Sequence, residues 1–185
     1  MRVVSGSAKG RKLLAVPGDS TRPILDRVKT ALFDVLRPRI DGASVLDLFA
    51  GSGSVGIEAL SQGASQCTFI DINDKACKTV RENLERCGFT QSAEVLKADA
   101  FSFLRKCKRS FDLIYVAPPQ YKSLWLEALQ AIAERPHLLT DTGFIVVQID
   151  PLEYEEFYCS AFRESSSRKY GSTLLVWYEQ SGENS

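Results

Sequence analysis

The chain has one histidine, His137, one methionine and no cysteines spaced as CxxC. A histidine-rich metal site is therefore excluded, and a Ser-His triad would depend on His137 alone, which sits beside Pro136 and reads as a loop residue. The five cysteines (67, 77, 87, 107 and 159) are odd in number and suggest free thiols rather than a disulfide framework. Cys77 and Cys87 share a helical stretch and are too far apart in rise to pair. No apolar run approaches the roughly 20 residues that cross a bilayer, and MRVVSGSAKGRKLL lacks the apolar core of a secretory signal. A cytosolic location without membrane contact is expected. What is present, 185 residues with 44% hydrophobic and 25% charged, suits one globular domain. Such a chain can bury roughly 70% of its unfolded surface.

Zero net charge hides an asymmetry. Residues 1–39 hold nine Lys or Arg against Asp19, Asp26 and Asp34, a net of +6, and the remainder carries −6. A basic arm on an acidic body is the footprint of a polyanion-binding segment; the plainer reading is a solvated extension. Lys9, Arg11 and Lys12 fall in a Gly-flanked loop, and Arg22, Arg27 and Lys29 lie near or on a helix at Ile24–Leu36. These cations would meet phosphates, giving salt-sensitive, largely sequence-independent affinity.

From residue 43 short apolar runs alternate with helical stretches. Strands are expected at 43–49, 67–71, 93–99, 111–117 and 143–149, and at Ser172–Glu179 after a turn at Gly171. Between them come a helix closed by Gly63, one that Asp74 can cap and Gly88 stops, a short helix in FSFLRKC, and an amphipathic helix at 123–134. Strands separated by helices imply a mostly parallel α/β sheet with helices on both faces, and the short last connection makes the final strand antiparallel. Phe101, Phe103, Trp125 and Trp177 read as core. Residues 1–40 form the extension and its packed helix, 41–180 the main domain, and 181–185 a tail expected to fray.

The first strand runs into Ala50-Gly51-Ser52-Gly53-Ser54-Val55-Gly56, a GxGxxG between strand and helix. Its default reading is a dinucleotide site, which leaves a nicotinamide-dependent oxidoreductase as one possibility. Three acids argue otherwise. Asp47 lies within the strand, where a pyrophosphate would be repelled and a cation attracted. Asp71 ends the second strand 20 residues after Gly51, placed for a ribose diol, and Asp99 ends the third, where it can accept from an adenine amino group. S-adenosylmethionine combines a positive centre, a ribose and an adenine. Phe49 and Ala50, beside the loop, and Ile72 and Ala100, each following an acid, complete the candidate cofactor set. The plainer reading makes the three acids helix caps.

VLDLFAGSGSVGIEALSQGA, GSAKGRKL…TRPILDRVKTALFDVL and KYGSTLLVWYE closely resemble the RsmD family, bacterial methyltransferases that modify N2 of a guanine in 16S ribosomal RNA. The likeness covers about residues 2–179. It implies a Rossmann-like class I methyltransferase fold, with a seven-stranded, mostly parallel sheet whose last strand is antiparallel. It also implies S-adenosylmethionine as donor and 16S rRNA within a 30S subunit or assembly intermediate as partner. Nothing calls for more than a monomer. The resemblance also places Arg22, Asp26 and Lys29 at the border of the active site.

One motif departs from the family. Where an Asp- or Asn-Pro-Pro-aromatic tetrapeptide is usual, this chain has Ala117-Pro118-Pro119-Gln120, with Tyr121 one place later. An exocyclic guanine amine is a poor nucleophile because its lone pair is delocalised into the ring. A side-chain oxygen and the first proline carbonyl take its hydrogens and aim the lone pair, while an aromatic ring stacks on the flipped base. Ala117 accepts no hydrogen bond. Either Pro118 carbonyl works with another side chain or a water while Gln120 or Tyr121 covers the base, or catalysis is weakened and the protein persists as a binder of S-adenosylmethionine or RNA. An adenine-N6 methyltransferase would share the Pro-Pro logic.

Overall fold

The alternation of apolar strands and helices builds a layered α/β domain, seen in a computed structural model that describes residues 1–18 and 23–181. Arg22 lies outside the described residues, as does the expected tail from 182 onward. The elements are α1 (Asp26–Ile40), β1 (Ser44–Asp47), α2 (Ser54–Ser61), β2 (Gln66–Asp71), α3 (Asp74–Cys87), β3 (Ala93–Lys97), α4 (Ala100–Lys106), β4 (Phe111–Val116), α5 (Leu124–Ala133), β5 (Leu139–Ile149), β6 (Phe162–Tyr170) and β7 (Thr173–Gln180). The strands form one sheet in the order β3-β2-β1-β4-β5-β7-β6. The first five are parallel, and β7 is antiparallel to both β5 and β6.

Buried on both faces, the central strands send alternate side chains to two cores. Val45, Phe69, Leu113, Tyr115 and Val146 face α1, α2 and α3. Leu46, Ile70, Ile114, Val116 and Val147 face α4 and α5. Trp125 and Trp177 are buried, and Phe101 and Phe103 pack partly buried against the second core.

Three local readings are corrected. The first helix begins two residues later than expected, because Leu25 is extended, and it continues past Pro38 to Ile40. Ile40 extends the buried stripe of Val28, Leu32, Phe33 and Leu36, and that burial outweighs the hydrogen bond lost at proline. Asn73, not Asp74, caps α3, its side chain accepting from Lys75 N, while Gly88 ends the helix in a left-handed conformation as anticipated. Finally, β6 was not anticipated: FRESSSRKY is too polar to read as a strand. It is an edge strand whose charged side chains discourage further pairing.

The order of strands places the site. Connections run one way from β1 to β3 and the other way from β4 to β5, so the sheet switches direction between β1 and β4, leaving a crevice at their carboxyl ends. The glycine loop leaves β1 there and the Pro-Pro segment leaves β4. The glycine loop at this crevice leads into α2, which lies close against β2. At Gly56 an added Cβ would lie 2.3 Å from Phe69 Cε1 and 2.6 Å from Cys67 Sγ. Gly56→Ala should therefore lower stability by about 1–3 kcal/mol, read as a lower melting temperature. An unchanged melt would show that α2 lifts from β2 freely.

Candidate active site

The glycine loop is tied down by backbone bonds. Ala50 N donates to Ile70 O at 2.9 Å, Leu48 N to Tyr115 O at 3.0 Å and Gly53 N to Ala50 O at 2.8 Å. Gly53 holds φ at 76°, and a Cβ there would sit 3.1 Å from Val80, so a side chain would be both strained and crowded. The Asp71 carboxylate joins two segments, with Oδ2 accepting from Gly51 N and Oδ1 from Asn73 N, each at 2.8 Å. A carboxylate has about four acceptor positions, so capacity remains for hydroxyl donors. Ile72 is exposed beside it, and Phe49 packs edge-on against Phe101 with centroids 6.4 Å apart. Asp99 caps α4, its Oδ1 accepting from Ser102 N at 2.8 Å ahead of buried Ala100. The helix-cap reading thus holds for Asp99.

Asp47 differs from both. It is 1% exposed. Its Oδ2 accepts from Gly56 N at 3.2 Å, while Oδ1 has no partner. Burial, with a smaller push from the charge of Asp71, raises its carboxyl to about 7. A buried carboxylate oxygen without a donor is costly, and a cationic ligand in the crevice would relieve that cost. The residues present therefore fit a positively charged cofactor.

On the other side of the crevice, Ala117 is half-buried, Pro118 is buried, and Pro119, Gln120 and Tyr121 are exposed. Tyr121 and Ser123 occupy the left-handed region at φ 60° and 53°, a strained arrangement for side chains. The segment after β5 holds it. Tyr121 N donates to Glu153 Oε1 at 2.6 Å, and its hydroxyl donates to Asp150 Oδ2 at 3.0 Å. Asp150 and Glu153 were missed in the sequence, although Asp-Pro-Leu-Glu is a capping-box pattern and here caps a short turn. Behind them the Tyr115 hydroxyl donates to Gln148 Oε1.

The basic arm lies on α1 and α2. Arg2 and Lys12 form a bridge that closes it into a loop. Lys29, expected at the RNA surface, is corrected here: it is fully buried. Its Nζ donates to Arg2 O at 2.6 Å and Ser54 Oγ at 2.9 Å, and pairs with Glu58 Oε2 at 3.2 Å. Burial lowers its pKa while Glu58 opposes the shift. Glu58 also accepts from Val4 N and Ser5 N. Glu58 was another omission, and a glutamate inside the apolar GSVGIEALS was its signal. Asn83 Nδ2 donates both to Leu14 O and to Ser52 O, linking arm and glycine loop. Lys9, Arg11, Lys12 and Arg27 are exposed. Lys9, Asp26 and Arg27, with Arg2, line a groove of about 360 Å³, where Asp26 is paired to Arg2 at 3.1 Å.

A family model described as conserved hypothetical protein 95 matches residues 1–179. The Bacillus subtilis (strain 168) protein YlbH, provisionally named an rRNA methyltransferase, is 46% identical over 153 residues, covering 81% of this chain and 83% of its own. The ribosomal RNA small subunit methyltransferase D of Haemophilus influenzae is 35% identical over 138 residues, 72% of this chain and 71% of its own. Among solved structures, yhhF from Escherichia coli, provisionally titled a methyltransferase, superposes with a TM-score of 0.85 at 30% identity, covering 97% of both chains.

The raised carboxyl of Asp47 has a measurable consequence. Its folded value of about 7 exceeds the ordinary 3.8, so the folded state holds a proton that the unfolded state has released. Stability from this group is present below the ordinary value and is lost as pH rises towards 7. Asp47→Asn removes that dependence. Its melting temperature, relative to the unmodified protein without ligand, should rise between pH 5 and pH 8; a constant difference would show that Asp47 titrates normally.

Proposed function

The chain belongs to the RsmD family, whose model carries the description conserved hypothetical protein 95, and on that footing we propose that it methylates the exocyclic N2 amine of a guanine in 16S rRNA. At the coarser level it is an S-adenosylmethionine-dependent rRNA methyltransferase. The substrate is 16S rRNA in a 30S subunit or assembly intermediate, met by a monomer. The observation that carries the reading is Asp47, buried with an unpartnered oxygen at the crevice where the glycine loop and the Pro-Pro segment meet.

S-adenosylmethionine, when bound, supplies a methyl group activated by the positive charge on sulfur. The chain's residues bind and orient. Asp47 faces the cationic end, Asp71 takes the ribose hydroxyls with Gly51 and Gly53 allowing close approach, and Asp99 receives the adenine amino group. Phe49, Ala50, Ile72 and Ala100 form the apolar walls. Pro118 carbonyl accepts one hydrogen of the target amine. Tyr121, exposed at 66% with its hydroxyl anchored on Asp150, offers its ring to the base, with Gln120 and Pro119 at the rim. Lys9, Arg11, Lys12, Arg22 and Arg27 take phosphates, and Asp26 sets the orientation of Arg2 in the groove. Residues 1–40 thus serve RNA binding and 41–180 methyl transfer.

Ala117 favours a second reading, a catalytically weakened factor that binds S-adenosylmethionine and RNA. Tritiated methyl transfer to 30S particles lacking the mark, with base-resolution mapping of the product, separates the two. Transfer mapped to guanine N2 is expected. No transfer by the unmodified protein, with activity in Ala117→Asp, would favour the weakened factor, and a methyl on adenine N6 would overturn the guanine assignment. Lys9, Arg11 and Lys12 changed together to Ala should weaken RNA binding and reduce the salt slope by about 2. An unmoved slope would remove the arm from the RNA interface.

A further inference from the structure

An amine held for methylation presents two hydrogens, and Pro118 carbonyl satisfies one. On the proposed function above, a second acceptor must stand near Ala117. The parallel register of β4 and β5 sets Val116 beside Val147. One residue further on, Ala117 and Gln148 are therefore neighbours at the crevice. Both belong to the face of the sheet that carries Asp47 and Tyr115: Ala117 packs against the core containing Tyr115 and Val146, and Gln148 lies two residues beyond Val146. Gln148 is half-buried in a strand whose residues from 143 to 149 are otherwise buried. A polar side chain in such a strand needs a reason.

We infer that Gln148 supplies the acceptor that Ala117 lacks, its carboxamide oxygen receiving the second hydrogen of the target amine. Adjacent strands lie about 4.8 Å apart. A glutamine, one methylene longer than asparagine, is suited to reach across that gap, and the methyl of Ala117 leaves the space open. The oxygen is also aimed. Gln148 Oε1 accepts from the Tyr115 hydroxyl, and an amide oxygen has a second lone pair for another donor. Tyr115 is buried, and burial together with the nearby charge of Asp47 pushes its phenol well above the ordinary range, which keeps it a donor. Tyr115 is thus a positioning residue for Gln148.

The same end of β5 holds the facing loop. Asp150 and Glu153 grip Tyr121 by its hydroxyl and its amide, so the distance between Gln148 and the Pro-Pro segment is set by one piece of chain. With both hydrogens accepted, the amine lone pair points at the methyl carbon. The nitrogen–carbon bond forms as the carbon–sulfur pair passes to sulfur, and the surplus proton leaves to water. Acceptors on both hydrogens stabilise the positive charge that grows on nitrogen.

The test compares single-turnover methyl transfer to 30S particles by the full-length protein, Gln148→Ala, Gln148→Ala with Ala117→Asn, and Tyr115→Phe. Affinity for S-adenosylmethionine and melting temperature are measured for each. Gln148→Ala should slow transfer about 10²–10³-fold with cofactor affinity unchanged, and with a somewhat lower melting temperature because the buried Tyr115 hydroxyl loses its acceptor; transfer is therefore read well below the melt. Ala117→Asn in that background should restore at least about tenfold of the loss, as expected if one acceptor replaces another. Tyr115→Phe should slow transfer less than Gln148→Ala. Normal transfer by Gln148→Ala, a loss matched by lower cofactor affinity, or no recovery on adding Ala117→Asn would overturn the inference while leaving the methyltransferase reading in place. Absence of transfer by the unmodified protein would instead sink that reading and this inference with it.

Discussion

The buried Lys29–Glu58 pair is the contact on which the arrangement around the crevice rests. A buried ion pair is tolerated only when the remaining donors and acceptors are also met, and removing one partner commonly costs about 3–5 kcal/mol. Lys29 has three ammonium hydrogens and three partners: the Arg2 carbonyl, the Ser54 hydroxyl and Glu58. Glu58 in turn takes the amides of Val4 and Ser5. Three parts of the chain that are distant in sequence are locked by this one network: the arm, α1 and the helix that follows the glycine loop. Ser54 is the first residue of that helix, so the bond made by Lys29 reaches the edge of the glycine loop itself.

The sheet supplies a second frame. Its change of direction between β1 and β4 opens the crevice, and a polar group stands at or beside the carboxyl end of each of β1, β2, β4 and β5: Asp47, Asp71, the Pro118 carbonyl and Gln148. The groups are not equivalent. Asp71 and Asp99 already hold backbone amides and so organise loops whether or not a ligand is present. Asp47 holds one amide and leaves one oxygen bare, so it alone of the three acids carries a buried carboxylate oxygen without a donor. Tension in the Pro-Pro loop, with left-handed Tyr121 and Ser123, is borne by two acids from the end of β5.

Much of this was legible in the sequence because parallel strands buried on both faces write themselves as apolar runs, and the glycine loop and its acids fall at their ends. What was hidden had different causes. Strand β6 is polar because it lies at an edge, where pairing comes from the backbone rather than from side-chain burial. The fate of Lys29 was invisible because a lysine in a basic segment looks like its neighbours, and only the i,i+4 stripe of Val28, Leu32 and Leu36 beside it hints at an inward face. Asn73 and Asp74 are both cap formers, and the choice between them is made by backbone geometry. Gln148 and Glu58 were written in plain view as polar residues inside apolar runs, yet their partners come from other elements that no local pattern names.

The arm's attachments also order events during synthesis. Residues 1–14 leave the ribosome before Glu58, Ser61 and Asn83, their anchors beyond α1, which are made only after several dozen further residues have been translated. Until then only α1 offers the arm partners, through Lys29 and Asp26. Its full set of hydrogen bonds therefore requires α1, α2 and α3 together.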